Sequence, residues 1–183
     1  LFRSVLTARA AELFHENLDT EEGRLIARSY FKERGFKEET IQKFQLGYAL
    51  EKRTAFTTQL LSEGYQEKFL LNTGLSFKSE RGEVFDRFYG RVIFPIHSLS
   101  GRPNAFGGRT LKTDKTVAKY QNSPESEIYH KRKVLYGLFQ AKKAIAQKDQ
   151  CILVEGYADV ISMHQLGVEN VVASSGTALT EEQ

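Results

Sequence analysis

The chain has 183 residues, 40% of them hydrophobic and 27% charged, with 14 glycines and 3 prolines, which excludes a disordered tail or a collagen-like repeat. A chain of this length buries roughly 70% of the surface its unfolded form exposes and needs no covalent staple; with Cys151 as its one cysteine it has no internal disulfide and no cysteine-based zinc cluster. No apolar run approaches the ~18 residues of a membrane span and no secretion signal opens the sequence, so a cytoplasmic protein without a membrane partner is expected.

In chain order, residues 1 to about 80 carry helical signals. Leu1, Phe2, Val5, Leu6, Leu13 and Phe14 fall on one helical face, and Leu25, Ile26, Tyr30 and Phe31 repeat the pattern after an acidic first turn at Glu21 and Glu22. Gly35 is a C-cap candidate. Shorter helices are predicted over 37–44, closing before Gly47, over 53–61, ending at Gly64, and over 66–72. From residue 81 the pattern changes to strand and turn. Arg91-Val92-Ile93-Phe94-Pro95-Ile96, the turn Ser98-Leu99-Ser100-Gly101 and residues 104–111 predict a hairpin. Pro95 demotes the first strand to an edge or marks a bulge, and Gly107-Gly108 admits close approach of another backbone or a ligand. Residues 112–133 read as a polar loop, and 134–146 as a helix with Leu135, Leu138, Phe139 and Ile145 inward. A β-α-β unit follows: the apolar run Cys151-Ile152-Leu153-Val154 as a buried parallel strand, a helix over 157–166 ending at Gly167, and a strand over 170–173. The sequence starts at Leu1 and stops at Thr180-Glu181-Glu182-Gln183, a helix-opening signature, so a longer parent chain is expected.

The net charge of +3 is unevenly spread: residues 1–80 are neutral, 81–143 carry +8 and 144–183 carry −5. A basic middle before an acidic end suits a polyanion track beside a carboxylate site, although solvated surface charge gives the same tally. The basic segment holds Arg109 after the paired glycines, then Lys112, Lys115, Lys119-Tyr120, Asn122-Ser123 and Lys131-Arg132-Lys133. Such cations bind phosphates, and an interleaved Tyr120 can stack a base without reading it. Glu155, at the carboxyl end of the predicted parallel strand, stands where open α/β sheets place ligands. With Asp159 in the next helix's first turn it can hold Mg²⁺; equally, Asp159 can simply favour the helix N-terminus. Ser174-Ser175-Gly176-Thr177 fits a phosphate nest or a tight turn.

Val154-Glu155-Gly156-Tyr157-x-Asp159 with the downstream Ser-Gly-Thr turn resembles the opening of a Toprim fold. Phe85-Asp86-Arg87-Phe88, Arg91 to Ile96, Phe106-Gly107-Gly108-Arg109, Lys119-Tyr120-x-Asn122-Ser123-Pro124-Glu125 and Leu135-Tyr136-Gly137-Leu138, in that order, resemble the catalytic core of bacterial DnaG-type DNA primase, as does Tyr30-Phe31-x-x-Arg34-Gly35. The resemblance implies an α+β N-terminal basic subdomain over 1–147, made of helices and antiparallel strands, and an incomplete Toprim domain over 148–183 with its first βαβ unit. It implies a nucleotidyltransferase that makes RNA primers from ribonucleoside triphosphates on a single-stranded DNA template in bacterial replication. Glu155 and Lys131 would be catalytic, Glu155 and Asp159 part of a Mg²⁺ or Mn²⁺ site, and Arg34, Arg109, Lys119, Tyr120, Asn122 and Ser123 would hold template or nucleotide. The family's Asp-x-Asp pair does not occur in this sequence, nor do its zinc-binding module or the module that contacts the replicative helicase. The 183 residues alone are therefore expected to bind metal weakly and to make no primer. Another Toprim enzyme that cuts DNA, or a noncatalytic binding module, are the alternatives.

Overall fold

A computed structural model describes residues 2–114, 116–174 and 179–183; Leu1, Lys115 and residues 175–178, with them most of the Ser174-Ser175-Gly176-Thr177 turn, lie outside the described residues. Helix α1 (Phe2–Glu16) and a 3-10 turn (Asn17–Asp19) lead to a continuous helical run of three pitches, α2 (Glu21–Gly23), a π-type turn (Arg24–Arg28) and α3 (Ser29–Glu33). The Thr20 hydroxyl accepts from the Gly23 N–H at 3.0 Å, a side-chain cap just ahead of the expected acidic first turn at Glu21 and Glu22. Gly35 takes the left-handed position after α3, with φ +72°. The expected one-face pattern holds incompletely: Leu6, Phe14, Tyr30 and Phe31 are buried, but Val5 and Leu25 point to solvent.

Helix α4 (Glu38–Lys43), with Lys37 and Phe44 as its cap residues, matches the helix expected over 37–44. Gln45 itself adopts φ +51° and its side-chain oxygen accepts from His97 Nε2 at 2.9 Å, so a tertiary contact holds a residue where a local signal called for glycine. Gly47 instead belongs to strand β1 (Gly47–Ala49), which the helical reading of the first 80 residues missed. Helices α5 (Ala55–Ser62) and α6 (Glu67–Asn72) follow, then a small hairpin of β2 (Ser76–Lys78) and β3 (Val84–Asp86). Asp86 leaves β3 to cap α5, accepting from the N–H groups of Phe56 (2.8 Å) and Thr57 (2.9 Å) and from the Thr57 hydroxyl (2.6 Å).

Strands β4 (Arg91–His97), β5 (Pro103–Thr110) and β6 (Tyr120–Asn122) complete an antiparallel sheet of order β1-β4-β5-β6. β4 is buried throughout, and apolar from Val92 to Ile96, because both its faces are covered: Val92, Phe94 and Ile96 enter one core and Ile93 the other, which it shares with residues of α1 and α5. The edge position expected of Pro95 is not met, since β4 lies between β1 and β5, while the alternative, a bulge, falls just beyond the proline. β1 pairs only with residues 91 to 93, leaving β5 as the one partner at Pro95, and the register shifts between Ile96 and His97. The expected loop over 112–133 is more ordered than its polarity suggested. β6 adds to the edge of β5, and Lys131–Lys133 form a 3-10 turn.

The helix expected from residue 134 starts later, as α7 (Leu138–Lys148). Tyr136 is extended and exchanges backbone hydrogen bonds with Ala173 (2.8 and 3.0 Å), and Gly137, at φ +81°, then turns the chain; a Cβ there would lie 2.6 Å from Val160. β7 (Ile152–Val154), α8 (Tyr157–Gln165) and β8 (Val171–Ala173) form the expected parallel unit, with Ile152 opposite Val171. Its first strand is not fully buried, since Leu153 is 45% exposed. Val160, Ile161, Val171 and Ala173 share one core with Phe44, Leu46 and Phe94, so the βαβ unit and the antiparallel sheet pack as one body. Among the described residues no helix is long and apolar enough to cross a membrane.

Candidate nucleic-acid interface

The register of β5 and β6 builds the site. Arg109 is opposite Tyr120 and Gly107 opposite Asn122, and directly opposed residues project from the same face of a sheet. On that face the Arg109 guanidinium lies 4.8 Å from the Tyr30 ring centroid and 5.8 Å from that of Tyr120, and its Nη1 donates to the Tyr30 hydroxyl. Arg34, one helical turn beyond Tyr30, stands 5.5 Å over the same Tyr30 ring. Burial raises the Tyr30 phenol above its ordinary pKa, against the lowering pull of Arg109 and Arg34, so the phenol stays neutral and serves as an acceptor.

Ion pairing separates the basic residues into two sets. Lys112 is paired with Glu51 at 2.7 Å and Arg132 with Glu182 at 2.8 Å. Arg34, Arg109 and Lys119 have no carboxylate partner among the described residues. These three line one groove of about 1030 Å³ together with Tyr30, Ile26 and Leu111, and the carboxylates of Glu33 and Asp114 line it as well. The Arg109 Nε is buried in it without an acceptor. Unneutralised guanidiniums around an aromatic ring, with an unmet donor, offer phosphate oxygens what they require. Tyr120, 44% exposed, leaves its ring open beside Arg109.

Tyr157 ties this face to the carboxylate edge. Its ring is buried, stacked on Phe94 at 5.2 Å and edge-on to Tyr136 at 4.6 Å, and its hydroxyl donates to Asn122 Oδ1 at 2.7 Å. The same ring accounts for Gly107-Gly108. A Cβ on Gly107 would sit 2.5 Å from the Tyr157 ring, and one on Gly108 would sit 2.7 Å from Phe88. The close approach is by aromatic side chains, not by the backbone or ligand expected. Two residues before Tyr157, Glu155 leaves the end of β7 exposed and without a hydrogen-bond partner among the described residues. Asp159 Oδ2 accepts from the Gly156 N–H at 3.1 Å, so this carboxylate does cap α8, and its other oxygen stays available. Two hard oxygen donors at one strand end suit a divalent cation that takes its remaining ligands from phosphates and water. Among the described residues no third acidic, histidine or cysteine ligand joins them.

The other expected site residues are distributed differently. Asn122 is engaged by Tyr157, and Ser123 is buried with its hydroxyl accepting from the Phe106 N–H at 2.9 Å. Both serve the sheet and neither opens onto the groove. Lys131 opens the 3-10 turn, where its N–H donates to Glu125 and its carbonyl accepts from Gln183; it lies outside the groove that Arg34, Arg109 and Lys119 line. Tyr30 and Tyr157 were missed as site residues. The available signals were the i, i+4 spacing of Tyr30 and Arg34 and the glycine pair, which announced that something bulky packs there.

A mixed helical and antiparallel body with a basic groove is joined to a parallel unit with carboxylates at its strand end. Residues 13–142 match the model of the DNA primase catalytic core, N-terminal domain, and residues 149–183 match the Toprim domain model. The chain belongs to the DNA primase catalytic core family. It is 47% identical over 176 residues to a DNA primase of Halalkalibacterium halodurans, covering 95% of this chain and 29% of that protein. Among solved structures, the RNA polymerase domain of Mycobacterium tuberculosis primase DnaG is 37% identical with a TM-score of 0.91, covering 98% of this chain and 58% of that one. The same domain in complex with a double-stranded DNA oligomer bearing a 6-nucleotide overhang gives a TM-score of 0.91 at 36% identity, over 100% of this chain and 57% of that one. The chain thus spans less than a third of that bacterial primase.

Proposed function

We propose that these residues form the template- and nucleotide-holding part of a primase that condenses ribonucleoside triphosphates into RNA primers on single-stranded DNA during bacterial replication, in the cytoplasm. The observation that carries this reading is the meeting of Arg34, Arg109 and Lys119, all without carboxylate partners among the described residues, in one groove around Tyr30. We divide the chain into a basic subdomain over 1–147 and the start of a Toprim domain over 148–183. In the groove, Arg109, Arg34 and Lys119 hold backbone or triphosphate oxygens, and Tyr120 offers a stacking face. Asn122 and Ser123 act one step removed, holding Tyr157 and β5 in place. Glu155 and Asp159 supply part of a Mg²⁺ or Mn²⁺ site. Glu155 and Asp159 would hold the cation, which would supply charge neutralisation for phosphoryl transfer. Phosphoryl transfer depends mainly on positioning and charge neutralisation, and these side chains are suited to both. Lys131, the remaining catalytic candidate, has an ammonium without a carboxylate partner among the described residues and contributes positive charge beside the 180–183 segment.

The test is ribonucleotide incorporation on single-stranded DNA by a protein carrying the whole catalytic core, with Glu155→Gln as control. Incorporation that disappears in the variant supports the reading; undiminished incorporation refutes the role of Glu155, and cleavage of the DNA in place of synthesis refutes the function.

A further inference from the structure

Helix α8 bears the carboxylate edge at its start and, in its last residue, a side chain that grips the helical half of the molecule. Gln165 Oε1 accepts from the Lys37 N–H and from the Thr40 hydroxyl, both at 2.8 Å, and Gln165 Nε2 donates to the Gly35 carbonyl at 2.7 Å. The orientation of the amide is unambiguous, because the Lys37 N–H only donates and the Gly35 carbonyl only accepts. All three bonds converge on the turn between α3 and α4. Lys37, the N-cap residue of α4, supplies no side-chain cap, so Gln165 satisfies an N–H that the helix start leaves open. The turn begins at Arg34, whose guanidinium stands over Tyr30 in the wall of the groove.

We propose that Gln165 is a positioning residue for the groove: it fixes the turn that carries Arg34 relative to the Glu155–Asp159 edge, and so sets where a phosphate held by Arg34 lies with respect to the carboxylates. This inference rests on the function proposed above. α8 has nine residues and is therefore about 13 Å long. Its first residue is pinned by the Tyr157 ring against Gly107 and its last by Gln165, which makes it a strut of fixed length between the two halves of the site. The ion pair of Lys43 with Glu169 lies beside the same contact but holds α4 at its far end, away from Arg34. Misplacement of a binding group by about 1 Å is enough to lower rates or affinities severalfold or more; Phe36 shares an apolar core with Val160 and Ile161, but among the described residues the Gln165 bonds are the only hydrogen bonds from α8 to the backbone next to Arg34.

Two measurements on the 183-residue chain test this: amide exchange at Lys37 and the Kd for a fluorescent oligo-deoxythymidylate. Q165M keeps the length of the side chain and removes all three bonds; Q165E keeps the acceptors for Lys37 and Thr40. In Q165M, exchange at Lys37 is expected to quicken about twofold to tenfold, as befits the removal of one net hydrogen bond, and Kd to rise about threefold to tenfold. Q165E, whose second carboxylate oxygen faces the accept-only Gly35 carbonyl, should recover only the part of the affinity that the Lys37 and Thr40 bonds carry. In an Arg34→Ala background, Q165M should change Kd by less than about twofold, because the group it positions is gone. Wild-type affinity in Q165M, or a loss that persists in full without Arg34, would overturn the positioning role and leave the proposed function standing. Failure of the wild-type chain to bind the oligonucleotide at all would overturn that function, and this inference with it.

Discussion

Replacing Gly107 with alanine tests the contact that joins the βαβ unit to the antiparallel sheet. The added Cβ would stand 2.5 Å from Tyr157 Cε2 and 2.7 Å from both Cζ and the hydroxyl oxygen, where carbon atoms normally approach to roughly 3.5–4.0 Å. The ring would have to withdraw by about 1 Å, and it has little room, being stacked on Phe94, edge-on to Tyr136 and tethered to Asn122. Overpacking of this kind costs about 1–3 kcal/mol, which lowers Tm by roughly 2–12 °C in a chain of this size. Removal of the ring should abolish the penalty. Tyr157→Ala alone costs about 3–5 kcal/mol; in that background Gly107→Ala should be neutral or stabilising by up to about 1 kcal/mol, since alanine loses less entropy than glycine in a strand. Urea unfolding of the wild type, both single variants and the double variant completes the cycle. Equal costs of Gly107→Ala with and without the ring would refute the argument that the glycine exists to admit Tyr157.

Removing Arg109 and Lys119 together, as alanines, should weaken single-stranded DNA binding at low salt and flatten the dependence of log K on log salt by about 0.7 for each phosphate that is no longer neutralised; an unchanged slope in a salt titration would place the DNA elsewhere. Asp86→Ala leaves the Phe56 and Thr57 N–H groups of α5 without their acceptor and should cost about 1–3 kcal/mol in chemical denaturation, with a cost within about 0.5 kcal/mol counting against the cap. His97, buried between Gln45 and Gln140, has its pKa lowered from 6.5 to about 4 by desolvation. Below pH 6.5 the unfolded chain therefore takes up a proton that the folded chain refuses, and stability falls as pH drops through this window, by up to about 3 kcal/mol at pH 4. A His97→Gln variant should show a shallower decline between pH 6.5 and 4, as read from urea midpoints; a parallel decline would assign the acid sensitivity to other groups. His164, also held low by burial, acts in the same direction and remains in both proteins.

Much of this architecture is local, and local physics made it legible. Helical periodicity with the acidic first turn at Glu21 and Glu22 marked the start of the second helical run, Gly35 and Gly64 supplied left-handed positions that only glycine adopts cheaply, and the continuous apolar runs marked β4 and the parallel unit. The position of Glu155 at a strand end follows from the same pattern. The basic segment was equally plain as a count of charges, but not which of its members mattered. Lys112 and Arg132 are neutralised by Glu51 and Glu182, partners 61 and 50 residues away, and no composition rule separates them from Arg109 and Lys119.

The remainder was decided by contacts between distant parts of the chain. β6 has no alternation of its own and exists because the Gly107-to-Arg109 edge pairs with it. Tyr136 is drawn from an expected helix into an isolated antiparallel bridge by Ala173, and Gln45 takes a glycine's conformation where His97 holds its side chain. Tyr30 reads as a core residue on the face of a helix until Arg109, 79 residues later, reaches its hydroxyl. Period, capping and turn chemistry act within a few residues and can be read from them. Pairing of a cation with a ring, or of a glycine with the ring that fills its missing side chain, depends on which surfaces the whole fold brings together, and for those only the tertiary structure holds the answer.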